Sequence, residues 1–213
     1  AIIAVVLAGL SAGHWYGGQL AGCNVDAEKG GRRVAIALGL ASISSLASLI
    51  LIRIVASQLK SLEFGAITSI ILLTLSLFFL PSFFVGIVSP ILTKLALDGN
   101  QNRQGAIIGR MFALGALGSI AGTLSAGYLF ISWIGSTGTI VTVAIIYALL
   151  GLCFAINDSM RGLFLFSLIS LIGGLVFWGQ RINAFHSPCD LESDYFCIRV
   201  ADYSHESGRP SSL

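Results

Sequence analysis

The sequence predicts an all-α polytopic membrane helix bundle of six spans over residues 1–179, followed over residues 180–213 by a linker and the start of a β-containing soluble domain. Three observations predict it. Hydrophobic residues make up 55% of the chain and charged residues 10%, against about a quarter charged in soluble domains. Six apolar runs separated by short polar stretches recur up to Gly179, long enough for spanning helices of roughly 20 residues. The chain then changes character: eight of its twenty-two Lys, Arg, Asp and Glu residues fall after Gly179, and a period-two alternation takes over.

The stretch that organises the first part is GRMFALGALGSIAGTLSAGYLFISWIG, Gly109 to Gly135, which carries no charge after Arg110. Gly118, Gly122 and Ala126 recur every four residues and form one small-residue side, with Gly115, Ser119 and Ser125 nearby. In lipid no hydrophobic force drives helices together, so a face without bulk gains by letting backbones approach closely. The first span, Ala1 to Ala21, carries Gly9, Gly13 and Gly17 at the same spacing and is the leading candidate partner for that side; dimerisation through the same side is the alternative. His14, Trp15 and Tyr16 interrupt the first span, and an intramembrane His is either a proton relay or a satisfied polar contact.

The remaining elements follow in order. Val34 to Ala56 is the second span, with Arg53 near its end. Phe64 to Val88 is the third, and Pro81 and Pro90 are expected to kink or end it, because each removes a backbone donor and clashes with the preceding turn. The organising helix is the fourth span, starting near Ile107, and Gly135 to Gly138 is a hairpin turn. Ile140 to Ile156 is the fifth span, and Leu163 to Gly179, bounded by Trp178, is the sixth.

Basic residues set the orientation. The loops after the odd-numbered spans hold Lys29, Arg32, Arg33, Lys94, Arg103, Arg110 and Arg161, whereas those after the second and fourth hold Arg53 and Lys60. The odd loops are therefore expected in the cytoplasm and the tail from Gln180 on the outer side. In that tail Asp194 to Ser204 alternates as a β-strand does. If Cys189 and Cys197 lie in an oxidising compartment they can pair; otherwise Cys197 is a small residue on one strand face. Cys23 and Cys153 read as small residues near helix ends, and no cysteine shows metal-site spacing.

The formal charge of +2 is too small and dispersed to argue for nucleic acid, and no nucleic-acid partner is expected; the partner expected is the lipid bilayer, with a second copy in a homo-oligomer as the alternative use of the small-residue side. No catalytic, cofactor or metal residue is assigned in the helices. Asp26, Glu28, Glu63, Asp98 and Asp158 all fall in loops or at helix ends, which counts against a cation pathway but leaves a neutral solute open. The absence of a starting Met or charged leader and the turn-like ESGRPSS before Leu213 read as a fragment.

The organising stretch, preceded by VGIVSPILTKLALD from Val85 to Asp98, resembles the membrane part of bacterial spermidine synthase-like proteins, in which a bundle like half of a major facilitator transporter is fused to an aminopropyltransferase domain. Gly18, Leu20 and Gly31-Arg32-Arg33 are similar to the glycine and basic loop of major facilitators, with the acidic residue displaced to Asp26, and ESDYFCIRV resembles the opening strand of the synthase domain. The resemblance implies a multi-pass protein of the bacterial inner membrane whose further domain transfers an aminopropyl group from decarboxylated S-adenosylmethionine to putrescine or a similar amine. The family's co-substrate-binding and amine-deprotonating residues would lie beyond Leu213. Phe196 stands where the family often places a Gln that contacts the nucleoside, a departure that bears on co-substrate binding. Alternatively, the helices are half of a transporter for a small solute.

Overall fold

The computed structural model describes residues 2–22, 27–61, 66–98 and 103–155, isolated helical positions between 169 and 180, and the pairs 191–192 and 197–198. Its elements are α1 (Ile2–Gly22), α2 (Ala27–Ser61), α3 (Ala66–Asp98), α4 (Gln104–Leu124), a π-helical segment (Ser125–Phe130) and α5 (Ile131–Ala155), with β1 (Leu191–Glu192) and β2 (Cys197–Ile198).

Helix is what these runs must form in an apolar medium, where every backbone N–H and C=O needs an internal partner. The hydroxyls follow the same logic. Ser45 donates to the Ala41 carbonyl at 2.7 Å, Thr74 to Ile70 at 2.6 Å and Thr123 to Ser119 at 2.8 Å, each one turn back along its own helix. α2 begins well before the expected Val34, because Glu28 to Arg33 are helix formers apart from the two glycines and Glu28 sits favourably in the first turn. α3 runs unbroken through both Pro81 and Pro90. Neighbouring helices and small residues let a membrane helix accommodate the missing donor, and the Pro90 ring is packed against α1.

The helices sit side by side in the spatial order α1, α3, α2, α5. The centre is a cluster in which Val34 and Leu38 of α2 meet Ile87 and Ile91 of α3, with Ala21 and Ala37 closing its edges. Val34 and Ile91 are the two largest wholly covered apolar side chains. α4 stands apart: none of its residues is buried, and its few contacts with another helix are chiefly with α3.

The expected fold class requires correction. Among the described residues three helical stretches are long and apolar enough to cross a membrane: Ala27–Ile52, Ile70–Asp98 and Gln104–Ala155. α1 is not among them, since His14, Trp15, Tyr16 and Gln19 dilute its apolar run. The expected fourth and fifth spans are joined in one helical stretch, interrupted only at Gly135, where φ is 68° and ψ 176°. That backbone region is essentially restricted to glycine. At 1.5 Å per residue the stretch is about 78 Å long, against about 30 Å of hydrocarbon, and Gly135 is where it can change direction. The expected sixth span, Leu163 to Gly179, lies outside the described residues except for isolated helical positions. Nor do the described residues form a β-containing domain. Of the strand expected over Asp194–Ser204 only Cys197 and Ile198 fall among the described residues, and they form a ladder of two residues a side, Leu191 opposite Ile198 and Glu192 opposite Cys197. Cys189, and with it the disulfide question, lies outside the described residues.

Candidate functional site

Among the described residues the closest packing is between α1 and α3. Gly9, Gly13, Gly17 and Ala21 are the buried residues of α1. A Cβ built on Gly9 would lie 2.8 Å from the Phe79 carbonyl oxygen and 2.9 Å from Ser82 Cβ; on Gly13, 2.2 Å from the Phe83 oxygen and 2.9 Å from Gly86 Cα; on Gly17, 2.6 Å from the Ile87 oxygen and 2.8 Å from Pro90 Cγ. None of these positions has room for any side chain. The partner stripe on α3 is Ser82, Gly86 and Pro90, also spaced by four, and a Cβ on Gly86 would lie 2.7 Å from the Leu10 oxygen. Backbone meets backbone along two turns, the arrangement in which Cα–H···O contacts and dispersion add up.

The other small-residue side behaves differently. A Cβ on Gly118 or on Gly122 would have nothing within 4 Å. Ala126 is half-buried but falls in the π segment, where i→i+5 bonding no longer keeps a four-residue repeat on one line. The pairing of Gly118, Gly122 and Ala126 with Gly9, Gly13 and Gly17 is therefore absent from this structure; α3 occupies the glycine side of α1.

A second seam joins α2 to α5 through Ala144, Ala148, Gly151 and Ala155, all buried. A Cβ on Gly151 would lie 3.2 Å from the Ala35 oxygen. Here one hydroxyl departs from the intrahelical habit: Ser42, fully buried, donates to the Ala144 carbonyl at 2.7 Å. This bond links residues 102 positions apart in the chain and fixes the register of the two helices.

Two cavities flank these seams. One, of about 370 Å³, lies where α1, α2, α3 and α5 meet; no charged side chain lines it, and its polar groups are hydroxyls of Ser45, Ser48, Ser82, Thr139 and Tyr147. The other, of about 470 Å³, lies between α1, α2 and α3 and holds a single charge, Arg33, among Tyr16, Phe83, Phe84 and aliphatic neighbours. The rings of Tyr16 and Phe83 are 5.9 Å apart and those of Phe83 and Phe84 5.6 Å, edge to face. Arg33 Nη1 donates to the Leu20 carbonyl, one of the carbonyls left open at the end of α1.

His14 is exposed on α1, flanking the glycine seam. Lys94 and Asp98 pair one turn apart at 2.6 Å with both side chains about half exposed, a surface bond of small energetic value. Among the described residues no three His, Cys, Asp or Glu side chains converge as a metal site would require. Sequence reasoning missed Gly86 and the α2–α5 seam. The signal for Gly86 was the spacing Ser82, Gly86, Pro90, which is visible only once the prolines are allowed inside the helix.

No protein-family model matches the chain, and neither a curated protein nor a solved structure shows significant similarity to it.

Proposed function

We propose that these helices are a membrane anchor and scaffold, the membrane portion of a spermidine synthase-like protein of the bacterial inner membrane. The aminopropyl transfer from decarboxylated S-adenosylmethionine to putrescine or a similar amine belongs to a further domain. The observation that carries the scaffold role is the pair of tight seams, α1 on α3 through glycine and α2 on α5 through alanine, glycine and the Ser42 bond. Such seams favour one fixed arrangement over sliding. The transferase assignment rests on the sequence resemblance of Val85–Gly135 and of the tail.

A specific observation favours a second reading. The hydroxyl-lined, uncharged cavity of about 370 Å³ at the meeting of four helices suits a small neutral solute, as a transporter half would need.

The test uses the gene's complete product, purified in detergent and supplied with radiolabelled decarboxylated S-adenosylmethionine and putrescine. Formation of labelled spermidine supports the synthase reading. No transfer, together with solute uptake by vesicles carrying the protein, supports the transporter reading instead. Release of the chain from membranes by alkaline carbonate would remove both.

A further inference from the structure

The groove between α1, α2 and α3 contains a charge, Arg33, that faces no counter-charge among the described residues. Arg33 is half-buried, and its one bond is to the Leu20 carbonyl; no carboxylate pairs with it among the described residues. A guanidinium offers five N–H donors in a planar fork suited to phosphate, so a single backbone bond leaves most of its capacity unused. A cation facing apolar walls is costly unless an anion and further hydrogen bonds compensate it.

The remaining walls define what accompanies that anion. Ile36 and Leu40, one turn apart on α2, are 42% and 40% exposed, so the groove is open along its flank. The rest of the lining is aromatic or aliphatic: Tyr16, Phe83, Phe84 and Ile87. Its volume of about 470 Å³ and its apolar walls leave room for a stretch of hydrocarbon chain. Depth agrees as well. Arg33 lies about 9 Å along α2 from Ala27, in the charged first two turns that precede the long apolar run of the helix. From there its long side chain can reach the headgroup level. A soluble anion would have to shed its water beside hydrocarbon to reach the same place, whereas a lipid arrives with its chain already in an apolar medium.

We propose that this groove binds one anionic phospholipid, with the phosphate on Arg33 and an acyl chain along Ile36, Leu40 and the Phe83–Phe84 wall. The lipid completes the guanidinium's hydrogen bonding and fills the space between α1 and α2, which joins the scaffold to the headgroup layer. This goes beyond the scaffold role and rests only on the membrane reading. Carbonate release of the chain would defeat that reading, whereas a chain that stays in the membrane without lipid preference would defeat the site alone.

The experiment is native mass spectrometry of the purified chain, exchanged into neutral detergent containing equal phosphatidylglycerol and phosphatidylcholine. The wild type is expected to retain phosphatidylglycerol several-fold over phosphatidylcholine: both can place a phosphate on Arg33, but the choline ammonium of the latter offsets that phosphate's charge beside the guanidinium. Arg33→Gln keeps a neutral donor for the Leu20 carbonyl and is expected to abolish the preference. Ile36→Trp leaves both the charge and that bond in place but narrows the groove, and is expected to reduce retention of either lipid several-fold; it decides the matter if Arg33→Gln does not fold. Equal retention of the two lipids by the wild type, an undiminished preference in Arg33→Gln, or unchanged retention in Ile36→Trp overturns the proposal. So does displacement of phosphatidylglycerol by millimolar inorganic phosphate, which would mark a site for soluble anions.

Discussion

Replacing Gly13 and Gly122 by alanine should move stability in opposite directions, although both glycines belong to four-residue stripes that look alike in the sequence. At Gly13 the added Cβ would lie 2.2 Å from the Phe83 carbonyl oxygen, where ordinary contact begins near 3.4 Å. α1 must therefore retreat by roughly 1.2 Å from α3, and a gap of about 0.5–1 Å already forfeits a quarter to a half of each neighbouring dispersion contact. Overpacking costs about 1–3 kcal/mol, and three adjoining positions, Gly9, Gly17 and Gly86, lose contact in the same movement. Alanine returns about 0.8–1 kcal/mol of helix propensity, which with the adjoining losses leaves Gly13→Ala destabilised by about 1–2 kcal/mol. Gly122 has nothing within 4 Å of its hypothetical Cβ, so only the propensity gain applies and Gly122→Ala is expected to be neutral or stabilised by up to about 1 kcal/mol. Both can be measured by titrating dodecyl sulfate into mixed micelles and following helicity and α1 release by circular dichroism and tryptophan fluorescence. A larger loss for Gly122→Ala than for Gly13→Ala would refute the reasoning.

Three further outcomes are expected. Ser42→Ala removes the buried bond to the Ala144 carbonyl and should cost about 0.6–1.7 kcal/mol in the same titration, while Ser45→Ala, whose hydroxyl bonds only one turn back, should cost less. Gly135→Ala places a side chain in a backbone region essentially restricted to glycine, and should cost about 1–3 kcal/mol or shift the direction of α5. In intact cells, in a background free of the four native cysteines, Ser136→Cys should react with a membrane-impermeant label and Asn102→Cys should not; the reverse pattern would invert the orientation inferred from the basic loops.

Much of the helical content is written in the apolar runs, because in lipid a long uncharged run has no alternative to internal hydrogen bonding. Helix ends are less legible. Glu28 to Arg33 read as loop because they are charged and hold two glycines, yet charged residues extend a helix past the hydrocarbon without penalty. The stripe Gly9, Gly13, Gly17 was visible, but spacing identifies a face and not its partner. α3 was hidden as that partner because Pro81 and Pro90 suggest a break, so Ser82, Gly86 and Pro90 did not register as one line of a continuous helix. The α2–α5 seam uses alanines that are indistinguishable by composition from the other apolar residues; only burial separates Ala144 and Ala148 from their neighbours. The π segment at Ser125–Phe130 left no recognisable mark, since its SAGYLF suits an α-helix equally well. The groove at Arg33 depends on three helices meeting, and the sequence showed only a basic loop.

The central claim is that the glycine side of α1 lies on α3 and not on α4. Disulfide trapping in membranes tests it directly, with paired cysteines in a background free of the native ones. Gly9 and Ser82 are the informative pair: Gly9 is the least crowded of the three α1 glycines, and a Cβ on it would lie 2.9 Å from Ser82 Cβ, so a parting of the helices by about 0.6 Å both relieves the crowding and reaches the roughly 3.5–4.5 Å of a disulfide. Gly9→Cys with Ser82→Cys should cross-link rapidly under mild oxidant, and Gly9→Cys with Gly122→Cys should not. Cross-linking of the Gly9 and Gly122 pair, with none between Gly9 and Ser82, would contradict the account.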